Sequence, residues 1–587
     1  MKLFDQNQLQ ITVTDRHGAQ HTEHSVMLRF LPTAGGTACY ADGIFAEGLA
    51  ARDSIIIRPQ NAAVELPFVA IDHYCHFWCK PAFGNHLSQL PNRAQMLLTK
   101  DNGLWHCILP VCADTFKTVL RGGESGMEIV VYSDFTGLTA VNEQLLFLYE
   151  TNTDPFALMR SITEGAAKLL GNGLKMREQR VMDDMFRYLG WCSWDAMQMW
   201  VNEDGLLEKA EEFKAKNVPV KFAIIDDCWQ DAPHIDAITR EHPFDEMCNI
   251  MHESTLDYFD GRPHRFPRGI KGAVDTLHEA GIPHVGVWFP TNGYWNGYTH
   301  GGKDARLLGD HLFYTQQKLW FSAPPPQGGT LLVKPTAEAA EGYFTALCQR
   351  IKSWGADFVK IDNQSSYDYY KESAPIGRSS RNIQQGIEKA TAGVMGGALI
   401  NCMGMSSECM FNRSDSAISR CSSDFMPEDR VWFGQNVLQS SYNGLLQGQY
   451  YVNDWDMWWT DDEQAVKNSL CHAISGGPVY VSDKQGRTNP EILKPMCFLD
   501  GRVPMCDISA TPTADCLLID PTTTDAPFKL RNLAGESGVI AAYNINKDNA
   551  PVSGSVCPED AGLPSGTYAY YEYFSGQGGI LDRKSVV

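Results

Sequence analysis

Phe358-Val359-Lys360-Ile361-Asp362-Asn363 is a short apolar run that closes on charged and polar residues. A helical pattern precedes it (Phe344, Leu347, Ile351, Trp354), Gly355 stops that helix, and β-branched residues fill the run, so it reads as a buried parallel strand. A lone carboxylate at the end of such a strand is most simply a helix cap or a loop anchor. Repetition of the pattern along the chain changes that reading.

From about Tyr188 strand-like and helix-like segments alternate, which predicts a parallel sheet with crossover helices. The strands are read at 189–194, 221–225, 284–289, 358–362, 399–403, 417–420, 450–452 and 479–481. Eight such units predict a closed (β/α)8 TIM barrel. Before it, β-branched runs such as 25–31, 54–58 and 127–132 are separated by turn residues and predict a β-sandwich. The expected layout is an N-terminal β-sandwich over 1–153, a helical connector over 154–187, the catalytic barrel over 188–497 and a small C-terminal β domain over 498–587. Two connections are long, 231–268 and 290–335, the second carrying Tyr294, Trp295, Tyr298 and Trp320. Both follow strands, so both belong at the face where a barrel holds its active site.

Composition narrows the partners. With 49 basic against 70 acidic residues the formal charge is -21, which argues against nucleic acid or an anionic membrane surface. An uncharged small-molecule substrate fits better. The polar start, Met1 to Asn7, and the lack of a long apolar stretch make the cytoplasm the expected compartment. Seventeen cysteines, an odd number scattered through strands and helices, read as reduced thiols. His73, Cys75, His76 and Cys79 have ligand-like spacing, but no second cluster matches them and bulky aromatics surround them, which favours packing over a zinc site.

The strand ends share one chemistry. The first presents Trp191, Trp194 and Asp195; the second Asp226, Asp227 and Trp229; the fourth Lys360 and Asp362; the sixth Arg420 and Asp424; the seventh Asp454 and Asp456. Carboxylates beside indoles suit a sugar, whose C–H face stacks on an aromatic ring while its hydroxyls donate to carboxylates. Glycoside cleavage needs two carboxyl groups in different protonation states. Lys360 shares a strand face with Asp362 and favours its charged form, making Asp362 the expected nucleophile. Asp424 lies in the loop beyond its strand, where partial burial beside Phe425 is expected to keep its proton, making it the expected acid.

Six stretches, 189–196, 224–230, 359–362, 420–425, 454–457 and 475–483, together with Trp78, Pro81, Gly84, Pro91 and Gln95, are similar to glycoside hydrolase family 36. The likeness is greatest to its raffinose synthase and alkaline α-galactosidase branch, the seed imbibition protein-like sequences. The resemblance implies a retaining α-glycosidase of double-displacement type that acts on terminal α-galactosyl units of oligosaccharides or glycoconjugates. Asp362 falls on the family nucleophile and Asp424 on its acid/base. Asp226 and Asp227 match the pair that holds the 4- and 6-hydroxyls of a galactose-type sugar. Lys360, Arg420 and Asp456 match positions lining the same subsite, Trp194 its aromatic wall, and Trp288 a further position on it. No metal or organic cofactor is implied.

Three alternatives stand beside that reading. Met403 and small residues follow the fifth strand where many galactosidases carry a larger acid, so α-N-acetylgalactosaminidase activity is one. Galactosyl transfer to a second sugar shares the first half-reaction and is another. A sugar-binding protein without catalysis is the third, although both carboxylates are present.

Overall fold

The computed structural model describes residues 3, 5–22, 26–60, 65–124, 126–317, 325–365 and 367–581. Ser25 and Trp320 lie outside them. Eight short strands form one parallel sheet: β1 (Gly190–Cys192), β2 (Phe222–Ile225), β3 (His284–Pro290), β4 (Phe358–Asp362), β5 (Leu399–Asn401), β6 (Ile418–Arg420), β7 (Val452–Asp454) and β8 (Tyr480–Val481). Their order is β7-β6-β5-β4-β3-β2-β1-β8, the curled sheet of a TIM barrel. The Tyr480 hydroxyl on β8 donates to Asp454 on β7 at 2.9 Å. Just before β8, Gly477 approaches the Asn453 carbonyl so closely that a Cβ would lie 1.9 Å from its oxygen.

The barrel interior is built in layers. Phe222, Phe358, Ile418 and Tyr480, all on even-numbered strands, are buried in one cluster. Glycines on the odd strands make room for them: a Cβ at Gly190 would fall 2.1 Å from the Phe222 ring, and one at Gly286 2.1 Å from the Phe358 ring. Four side chains from alternate strands is how such a barrel fills its axis. Because strand side chains alternate, Phe358, Lys360 and Asp362 share one face of β4. The packed layer at the base thus positions the charged residues above it.

Three strands depart from the expected bounds by two residues, the others by one at most. The β7 strand starts at Val452, not 450, because a 3-10 turn at Gln447–Gln449 leaves Tyr450 in helical backbone. The β1 strand ends at Cys192, with Trp194 opening the short helix Trp194–Met197. The β5 strand ends at Asn401.

Ahead of the barrel, the strands from Leu9 to Asn152 form one continuous twelve-stranded antiparallel sheet. Ile55, Ile57, Phe68, Leu97, Ile129 and Phe147 build a core of its own. Alternating neighbours such as Val69, Met96, Leu98 and Val130 join the main core shared with the barrel. Polar contacts tie the two together: Gln95 donates to the Met405 carbonyl at 2.9 Å and accepts from the Ser407 amide at 3.0 Å, and buried Lys117 pairs with buried Glu408 at 2.5 Å. Helix Pro155–Leu170 follows, its first turn capped by Asp154, which accepts from Phe156 at 2.8 Å. Beyond the barrel lie a three-stranded sheet (Thr511–Pro512, Phe528–Ala534, Ser537–Tyr543) and the hairpin Tyr568–Tyr571 with Gly578–Leu581.

All seventeen cysteines are free thiols. His73 contacts the His76 carbonyl at 2.9 Å and the Lys117 ammonium at 3.3 Å, while Cys79 accepts from Gln95 at 3.1 Å. Among the described residues no group of three or more His, Cys, Asp or Glu is placed to hold a metal, and no helix is long and apolar enough to cross a membrane.

Candidate active site

A cavity of about 340 Å³ opens where the barrel strands end. Asp226, Asp227, Trp288, Lys360 and Asp362 line it from the strand ends, Trp194 from the helix after β1, and Asp424 from the loop after β6. Seven of the nine residues expected at the site therefore share one wall. The other two, Arg420 and Asp456, were expected to line it as well and instead stand behind it, fully buried, linked at 2.8 Å. That ion pair holds the wall: Arg420 also reaches Asp424 at 3.0 Å, and Asp456 accepts from the Phe425 amide at 2.7 Å.

Asp362 is firmly oriented. Trp288 donates its indole N–H to one carboxylate oxygen at 2.9 Å, and the Asn363 amide donates to the other at 2.7 Å. Lys360 does favour the charged form of Asp362, but its direct ion pair is elsewhere and burial outweighs its effect. The Lys360 ammonium pairs with Asp226 at 2.7 Å. Burial raises the Asp362 pKa, and Lys360 and the Trp288 hydrogen bond only offset part of the rise, to which Asp424 adds. Burial also opposes the Lys360 charge, but Asp226 more than compensates and its pKa stands well above the ordinary lysine value.

Asp227 accepts from the Tyr294 hydroxyl at 2.8 Å and the Trp295 indole at 2.7 Å, besides the Cys228 amide. Burial still pushes its pKa to about 7 against these donors. Asp456 likewise rises to about 7 through burial, with Arg420 opposing and Asp424 adding.

The expected partial burial of Asp424 is also corrected. Its side chain is 57% exposed. The bond from the Phe425 amide to Asp456 draws Phe425 inward, and Phe425 is buried. Asp424 is left at the rim.

Further residues line the cavity, among them Trp78, Asp195 and Met403, which the sequence had singled out, and others it had not. Helix Phe244–Glu253, inside the first long connection, turns Phe244, Cys248, Met251 and His252 toward the cavity, a spacing of one helical face. His252 packs edge-on against Trp295 at 4.9 Å, and burial lowers its pKa to about 4. Trp78 and Phe77 reach in from the N-terminal sheet, with the Arg420 guanidinium 5.3 Å from the Trp78 ring. Asp195, Gln198, Met403, Met426, Pro427 and Met457 complete the wall. The length of 231–268 was the available signal for the helix; for Met426 and Pro427 there was none.

The arrangement offers carboxylates and indoles around the cavity, with Lys360 on its wall and Arg420 fixed behind it. The family model for raffinose synthase or seed imbibition protein Sip1 matches residues 43–550. The chain belongs to this family. It is an enzyme. Among family relatives, probable galactinol–sucrose galactosyltransferase 6 of Arabidopsis thaliana is 26% identical over 559 residues, covering 88% of this chain and 72% of its own length. Stachyose synthase of Pisum sativum is 24% identical, covering 81% of this chain and 68% of its own. Among solved structures, the GH36 α-galactosidase AgaA of Geobacillus stearothermophilus superposes with a TM-score of 0.57 at 10% identity, covering 98% of this chain and 87% of that one. The α-galactosidase TtGalA of Thermus thermophilus, in complex with p-nitrophenyl α-D-galactopyranoside, gives 0.53 at 14% identity, covering 90% and 98%. At these identities the superpositions speak for the fold.

Proposed function

We propose that this chain is a retaining enzyme for terminal α-galactosyl units, with Asp362 as nucleophile and Asp424 as acid/base. The observation that carries this reading is the shared cavity: an oriented carboxylate and a rim carboxylate face one space lined by Asp226, Asp227, Trp194 and Trp288. In the first step a carboxylate oxygen of Asp362 forms a bond to the anomeric carbon. The glycosidic C–O bond breaks, and the departing oxygen takes the proton of Asp424. In the second step a hydroxyl attacks the same carbon, Asp424 accepts its proton, and the ester to Asp362 breaks.

Trp288 and the Asn363 amide aim Asp362 and stabilise its charged form against burial. Asp226 and Asp227 supply acceptor oxygens for two sugar hydroxyls, and the ion pair to Lys360 fixes the first of them. The N-terminal sheet takes part through Trp78. The domain layout proposed is the one expected, an N-terminal β-sandwich over 1–153 and a helical connector over 154–187 ahead of the catalytic barrel over 188–497, with a C-terminal β domain over 498–587.

Transfer of the galactosyl unit to a second sugar is the second reading, favoured by relatives named galactosyltransferase and stachyose synthase. Incubating the protein with p-nitrophenyl α-galactoside, α-N-acetylgalactosaminide, α-glucoside and α-xyloside, with and without sucrose, tests both. Preferred turnover of the galactoside with the α-anomer released first is expected, and sucrose-dependent loss of free galactose marks transfer. Preference for another sugar, or the β-anomer first, overturns the proposal.

A further inference from the structure

Six carboxyl groups gather at this site, Asp195, Asp226, Asp227, Asp362, Asp424 and Asp456, against two cations, Lys360 and Arg420. Their partners differ sharply. Lys360 is committed to Asp226, and Arg420 is shared between Asp456 and Asp424. Asp227 has three donors and Asp362 two. Asp195 is 6% exposed, lines the cavity, and receives a single hydrogen bond, from the Ser482 hydroxyl at 3.1 Å. No cation pairs with it among the described residues.

The groups that act on Asp195 from the surrounding elements are Ser482 after β8, Asp456 after β7, Asp424 after β6 and Asp226 after β2. Three of these four are acids. A buried carboxylate costs several kcal/mol unless charge or hydrogen bonds compensate it, and like charges add to the cost. Of the five buried ones, Asp195 has the fewest stabilising contacts, so a proton shared within the cluster settles there. Burial first, and Asp456 next, raise its pKa well above the ordinary carboxyl value, in line with this inventory. A protonated carboxyl is a donor as well as an acceptor. One oxygen is engaged by Ser482 and the other has no partner among the described residues.

We propose that Asp195 is a neutral carboxylic acid in the working enzyme and donates its O–H to an oxygen of the bound sugar. The surrounding Asp226 and Asp227 accept hydrogen bonds, and Asp195 supplies the opposite polarity. The site then recognises a sugar that presents donors on one edge and an accepting oxygen toward the turn after β1. This role rests on the proposed use of the cavity for a sugar, and is tested in a way that separates the two.

Asp195→Asn keeps a neutral donor of the same shape, while Asp195→Ala removes it. With p-nitrophenyl α-galactoside, Asp195→Ala is expected to raise KM about tenfold or more, and Asp195→Asn to recover most of that loss. Equal damage by both variants, with unchanged Tm, overturns the proposal, because Asn supplies a neutral donor at the same place and should replace a neutral acid. Infrared difference spectra of wild type against Asp195→Asn at neutral pH supply an arm independent of turnover. A carbonyl band of a protonated carboxyl, present in wild type alone and shifted by galactose, is expected; its absence contradicts the assignment. If wild type fails to turn over the galactoside, the proposed function falls while the infrared band still decides Asp195.

Discussion

The floor of the cavity and its mouth are built on opposite terms. At the floor, Asp226, Asp227 and Asp362 are buried, and each is engaged by at least two donors or a cation. At the mouth, Asp424 is 57% exposed and flanked by Phe244 and Met426, themselves 37% and 40% exposed. A rigid, solvent-poor floor fixes one sugar ring in one orientation, since every misplaced hydroxyl leaves a buried acceptor unpaired. An open mouth with two adaptable apolar side chains imposes little on whatever leaves or arrives. On the proposed function, selectivity for the cleaved sugar and tolerance for its partner then reside in different parts of one pocket.

The sharpest way to break that contrast is to remove the two carboxylates in turn. Asp362→Asn is expected to lower kcat for every substrate by about 10³-fold or more, because covalent chemistry has no substitute at the floor. Asp424→Ala is expected to cost about 10²-fold or more with oligosaccharides and much less with p-nitrophenyl α-galactoside, whose leaving group needs little protonation. Steady-state kinetics on both substrates checks this. An equal loss on both in Asp424→Ala would remove the distinction between floor and mouth.

A smaller effect sharpens the comparison. Phe244→Ala and Met426→Ala are expected to raise KM about two- to fivefold for oligosaccharides, with the hydrolysis of p-nitrophenyl α-galactoside affected less, because each exposes or removes only part of an apolar contact. A change in selectivity among galactoside, glucoside and xyloside would show that the mouth also reads the cleaved sugar.

The floor was largely legible in the sequence and the mouth was not, for a physical reason. Strand side chains alternate with period two, so Lys360 and Asp362 declare their common face from spacing alone, and Asp226 follows Ile225 at a strand terminus in the same way. All eight barrel strands announce themselves by short apolar runs between helical periods. Asp424 obeys no such period. Its exposure depends on one long-range bond, from the Phe425 amide to Asp456 on another loop, which local sequence does not encode. Helix Phe244–Glu253 sits in a connection whose length pointed to function but whose docking is set by tertiary contacts. The reach of Lys360 to Asp226, and not to Asp362, belongs to the same class: the nearer charge along the chain was not the partner across the barrel.

The central claim is that a carboxylate at the end of β4 becomes covalently bonded to the sugar. Acid-quenched Asp424→Ala protein, mixed with p-nitrophenyl α-galactoside and digested for mass spectrometry, tests it directly. The account predicts one hexosyl group added to the peptide that contains Asp362 and localised to that residue. A trapped sugar on a different side chain, or rapid release of product with no adduct at any time point, would contradict it.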